Sequence, residues 1–150
     1  MLAFLLAILS GALMSVQGVF NSEVTKQSSI WVATGLVHLT AFLVCIIAWF
    51  VDGRPPIAKL AEVQPRYFLL GGAIGALITF TVVRAISALG PAQATMLIVV
   101  TQLAVSWIIE LFGLFGTKQV PFSFQKLLAV GVMVAGILWF RYAGEKNPFT

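Results

Sequence analysis

Five stretches of the chain stay apolar for roughly 20 residues at a time, with short polar segments between them. About 20 residues at 1.5 Å each cross the ~30 Å hydrocarbon layer of a bilayer, so such runs predict membrane-spanning helices. The predicted spans are about 2–22, 30–51, 67–88, 91–114 and 124–142. The segments between them carry turn chemistry. Residues 21–29 hold Glu23, Lys26 and the Ser28–Ser29 pair. The longest connection, "DGRPPIAKLAEVQPR", contains Pro55–Pro56 and Pro65, which have no place in a regular helix interior. Gly90 ends one helix and Pro91 opens the next. "GTKQVPFS", Gly116 to Ser123, is the last loop, and the polar tail "GEKNPFT" is expected to fray.

Within the spans the polar residues fall into stripes. Ser10, Met14, Gln17 and Asn21 follow i, i+4, i+7, i+11 spacing, one face of a helix, with Gly11 and Gly18 beside it. Thr95, Gln102, Ser106 and Glu110 form a second stripe in the fourth span, flanked by Trp107. Thr34, His38 and Cys45 share a face of the second span, and Gly72, Gly75, Ala76 and Thr79 make a narrow face on the third. In lipid a polar group needs a protein partner or a wet cavity. Gln17, Asn21, His38, Gln102, Ser106 and Trp107 are therefore candidates for lining a substrate cavity. The competing reading of the amides is hydrogen bonding between helices. For His38 the choice is between an interhelical bond and a proton relay. Glu110 is the candidate proton or cation site, since a carboxylate within a span is costly to keep there; the alternative is a side chain reaching for the interface. Arg84 is a topology anchor or an anion contact. Gly71, Gly72, Gly75, Gly131 and Gly136 read as helix-packing positions, with Gly131 to Gly136 a possible dimer seam.

Composition excludes the soluble alternative. Hydrophobic residues make up 60% of the chain and charged residues 9%, with mean hydropathy +1.03. Soluble domains carry roughly 25% charged residues, and 150 residues cannot hide this much apolar surface in one aqueous core. The expectation is an all-α membrane protein, one transmembrane domain over 1–150. The opening "MLAFLLAILSGALM" lacks a basic start and stays apolar past Ser10, so it reads as the first span rather than a signal peptide. The net charge of +4 comes without a basic run, which argues against nucleic acid as a partner. Cys45 is the single cysteine and can form neither an intramolecular disulfide nor a metal cluster. No nucleophile–base set, Walker-type loop or haem motif is present, so neither enzyme chemistry, nor a cofactor, nor a metal is expected. Trp31, Trp49 and Trp139 fall near span ends, where tryptophan anchors to the interface.

Charge leaves orientation open. Five spans put the termini on opposite sides. Arg54, Lys59, Arg66, Lys118 and Lys126 lie on the N-terminal side, against Lys26, Arg84, Arg141 and Lys146 on the other. So small a difference fits a weakly biased single orientation, or insertion both ways with the two orientations paired as an antiparallel homodimer. Many secondary transporters contain two halves of inverted topology, and an odd number of spans yields such halves on duplication or dimerisation.

The stretch "GALMSVQGVFN", the block "GGAIGA" and the run from "LGPAQATMLIVVTQLAVSWIIELFGLFG" onward resemble the YdcZ-like family of five-helix bacterial inner-membrane proteins, part of the drug/metabolite transporter superfamily. The resemblance covers essentially the whole chain and is most specific from Gln102 through Gly116. Gln17 and Asn21 match the polar pair of the family's first helix. Glu110 departs from a more usual aspartate, and His38 stands where a small residue is expected. The resemblance implies a single inverted-repeat unit of a transporter fold in the bacterial inner membrane, working as a dimer or with a homologous half. The expected function is secondary transport of a small organic metabolite or cation by alternating access, with Glu110 the candidate proton or cation site. The alternative is a non-transporting partner or assembly subunit of a larger complex.

Overall fold

The computed structural model describes residues 1–145, and over them the chain is all-α. Five long helices follow one another: α1 Leu2–Gln27, α2 Ile30–Val51, α3 Gly71–Leu89, α4 Pro91–Phe112 and α5 Phe124–Glu145. Each is long and apolar enough to cross a membrane, α3 together with the turn before it from Arg66. Lys146 and the rest of the polar tail lie outside the described residues.

The second span matches its predicted limits, and the other boundaries shift for local reasons. α1 runs to Gln27 rather than to 22, because no glycine or proline follows Asn21 in this stretch and Lys26 pairs with Glu23 at 2.6 Å. The chain turns at Ser28, whose hydroxyl donates to the Val24 carbonyl at 2.7 Å. Ser29 then caps α2, its Oγ accepting from the Val32 N–H at 3.3 Å. The third span opens as a tighter 3-10 turn, Arg66–Leu70, and becomes α-helical only at Gly71. α4 stops at Phe112 rather than 114 because Gly113 takes a left-handed conformation, φ 62°, where glycine carries no Cβ penalty. α5 continues to Glu145 rather than 142, with no proline to interrupt it. The long connection contains one 3-10 segment, Ile57–Glu62. It is tied back to α2 by the Trp49 indole N–H, which donates to the Pro55 carbonyl at 2.9 Å, and by the Arg54 guanidinium, 4.8 Å from the Phe50 ring centre.

The helices fall into two compact units that part between Ala88 and Leu89. In the first, α1 packs along α2, and α3 joins both through a few interlocking positions. A Cβ on Gly18 would lie 2.7 Å from Ile86 Cδ1, so glycine is what lets α1 approach α3 here. One turn on, the Ser22 and Ser87 hydroxyls share a hydrogen bond at 3.3 Å. Trp31 of α2 stacks on Phe80 of α3 with ring centres 4.9 Å apart. Ala33, Val83 and Ile86 are buried among these contacts. In the second unit, α4 packs against α5. No span has more than 11% of its apolar window buried, so close contacts at a few positions rather than a thick core hold the helices together.

Candidate functional site

The polar stripe of α1 meets α2 across a cleft of about 630 Å³. Gln17 and Asn21 supply its amides, Thr40 and Cys45 the polar atoms of the α2 wall, and Met14 and Phe20 lie among its apolar lining. Helix periodicity explains the difference between neighbouring polar residues. The hydroxyls of Ser10, Ser15 and Thr40 turn back to carbonyls of their own helix, Leu6 at 2.8 Å, Gly11 at 3.1 Å and Leu36 at 2.9 Å, which meets their hydrogen-bonding need locally. An amide cannot be satisfied this way as readily. Gln17 stays exposed and Asn21 is buried, both facing the cleft. None of the residues lining this cleft is ionisable except the Cys45 thiol.

His38 lies on the other flank of α2, with its ring 3.7 Å from where a Gly75 Cβ would stand. Its Nε2 is buried without a hydrogen-bond partner, and so is Thr34 Oγ1 one turn earlier. The face shared by Thr34, His38 and Cys45 in sequence is therefore divided in space. Cys45 lines the α1–α2 cleft while His38 packs on α3. Arg84 is exposed, its guanidinium 5.7 Å from the Phe80 ring centre, and Phe80 in turn carries Trp31. This cation–aromatic stack suits an interface anchor.

Ser106, Trp107 and Glu110 line a second cavity, of about 240 Å³, between α4 and α5. Beside it, the loop after α4 folds back over the helix's last carbonyls, groups a helix end leaves free. The Val120 N–H donates to the Glu110 carbonyl at 3.0 Å, the Gln119 amide to Leu111 at 3.1 Å, and the Thr117 hydroxyl to Ile109 at 3.3 Å and to Leu114, just past the helix, at 2.8 Å. Phe122 is thereby laid on Trp107, ring centres 5.6 Å apart, and Lys126 is brought within 3.9 Å of the Glu110 carboxylate. Glu110 and Lys126 are both about half exposed, at the end of α4 and the start of α5. Trp107 Nε1 is buried and unpartnered. Gln102 is exposed on α4 and does not line the α4–α5 cavity.

Sequence reasoning missed Lys126 as the partner of Glu110 and Ile86 as the residue seated on Gly18. Opposite charges flanking the last loop were the available signal for the first; nothing in the sequence pointed to the second. Of the predicted packing glycines, Gly75 meets His38, while Gly71, Gly72, Gly131 and Gly136 face open space.

The chain matches the model of the family described as "Putative inner membrane exporter, YdcZ" over residues 2–139. It belongs to the YdcZ family. No curated protein and no solved structure matches it significantly. As a YdcZ-family member with five spanning helices, the chain is a multi-pass inner-membrane protein of the transporter class, grouped with exporters rather than enzymes.

Proposed function

We propose that this YdcZ-family protein exports a small organic molecule with an apolar body and a neutral hydrogen-bonding group, by alternating access. The observation carrying this reading is the α1–α2 cleft, in which Gln17 and Asn21 offer donors and acceptors above an apolar lining. A charged solute would find no counter-ion among the described residues there, and desolvating an unpaired charge is costly. In this reading a second copy, antiparallel to the first, closes the cleft and supplies the other half of an inverted pair. Proton coupling is the finer part of the proposal, with Glu110 and His38 the side chains that could carry it.

The test is efflux from proteoliposomes loaded with a panel of neutral aromatic and organic-cation dyes, with and without an imposed proton gradient. Wild type should move neutral dyes, and Gln17→Ala should lose that flux while remaining folded. Gradient-driven flux that survives both Glu110→Gln and His38→Gln would remove proton coupling through either residue. Flux undiminished in Gln17→Ala would remove the cleft from the pathway.

A further inference from the structure

The α4–α5 seam carries a second, longer groove. On α4, Met96, Val100, Leu103, Trp107 and Glu110 recur at alternating spacings of four and three, a single stripe. On α5, Lys126, Val130, Met133, Ile137 and Phe140 do the same. The 240 Å³ cavity at the charged end and an apolar cavity of about 390 Å³, with Val99, Met133 and Gly136 in its lining, lie along these stripes. From Glu110 to Thr95 the helix rises about 22 Å, against about 15 Å for one leaflet of hydrocarbon. The groove thus has a polar mouth at the end of the spans and an apolar trough at least as long as a leaflet is deep.

The mouth is built for a zwitterion. At 3.9 Å the Glu110–Lys126 pair is longer than a hydrogen bond, so both groups keep hydrogen-bonding capacity. Trp107 adds an N–H that has no acceptor. Lys126 and the indole N–H are donors suited to a phosphate; Glu110 is an acceptor suited to a primary ammonium. We infer that this groove holds one phospholipid with a phosphoethanolamine headgroup: phosphate on Lys126 and Trp107, ammonium on Glu110, an acyl chain along the trough. A phosphoglycerol headgroup could set its phosphate on Lys126 but brings no ammonium for Glu110, and adds a net negative charge beside that carboxylate. A phosphocholine headgroup brings a cation without an N–H to donate.

Native mass spectrometry of the full chain, with phosphatidylethanolamine, phosphatidylglycerol and phosphatidylcholine of identical acyl chains, tests this. Wild type should retain one phosphatidylethanolamine per chain in preference to the other two. Glu110→Gln and Trp107→Phe should each retain about tenfold less of it, the size of one charge-assisted hydrogen bond. Trp107→Phe keeps an aromatic ring against Phe122, so it reports on the N–H even if loss of the ion pair unfolds the helix pair. A Cβ on Gly136 meets nothing within 4 Å, so Gly136→Leu should fill the trough and lower retention of all three lipids. Equal retention of the three lipids by wild type would overturn the proposal, as would unchanged phosphatidylethanolamine in Trp107→Phe or Gly136→Leu. So would a dimer that carries no lipid and comes apart on Gly136→Leu, which would seat a second copy in the groove.

Discussion

The three-helix unit and the two-helix unit solve the same problem differently. With three helices, each can be wedged between the other two: Gly18 receives Ile86, Gly75 receives His38, and Trp31 lies on Phe80. With two, a seam always has open flanks: Glu110 meets Lys126 and Trp107 meets Phe122 at one end, and an apolar trough lies beyond. Lipid solvates apolar side chains as well as protein does, so the open seam costs little. The amides of Gln17 and Asn21 and the indole N–H of Trp107 are groups that hydrocarbon cannot satisfy.

This contrast is breakable by experiment. The largest expected effect is functional: Gln17→Ala should lower flux tenfold or more, read in proteoliposomes, with its thermal midpoint unchanged. Next is Gly18→Leu, whose side chain would drive into Ile86 and should destabilise the three-helix unit by about 1–3 kcal/mol, the usual range for overpacking. Gly131→Leu, facing open space on α5, is the control and should leave stability in detergent unchanged. If both leucine variants melt alike, the wedge at Gly18 is not what distinguishes the units. Trp49→Phe removes the bond to Pro55 and should cost about 1 kcal/mol, seen also as faster proteolysis of the Asp52–Arg66 connection. Smallest is the coupling between Glu110 and Lys126. The pair is half exposed, and a double-mutant cycle with Glu110→Gln and Lys126→Gln should give less than about 1 kcal/mol. A larger value would mean that the pair is a principal clamp on α4 and α5.

The five helices and the polar face of α1 were legible because they rest on run length and period, which one sequence carries in full. Gly113 could have been read as the stop for α4, yet the apolar residues Leu114 and Phe115 kept the run looking continuous. The extension of α1 through Glu23 and Lys26 was hidden because polarity was taken for a turn, while the backbone had no reason to break there. The site was legible only in parts. Gln17 and Asn21 share one cleft, while His38, on the other flank of α2, packs on α3 instead. A stripe fixes which residues share a face of one helix. Which helix that face meets depends on contacts such as Ile86 on Gly18, far apart in the chain.

The loop that folds back over α4 also bears on biogenesis. Because Val120, Gln119 and Thr117 engage carbonyls in the last turns of α4 or just beyond, the chain entering α5 is already held against the helix that precedes it. α4 and α5 are therefore expected to leave the translocon together, as one preformed hairpin. Proline at Val120 or alanine at Gln119 should then show up first as slowed insertion of the last span.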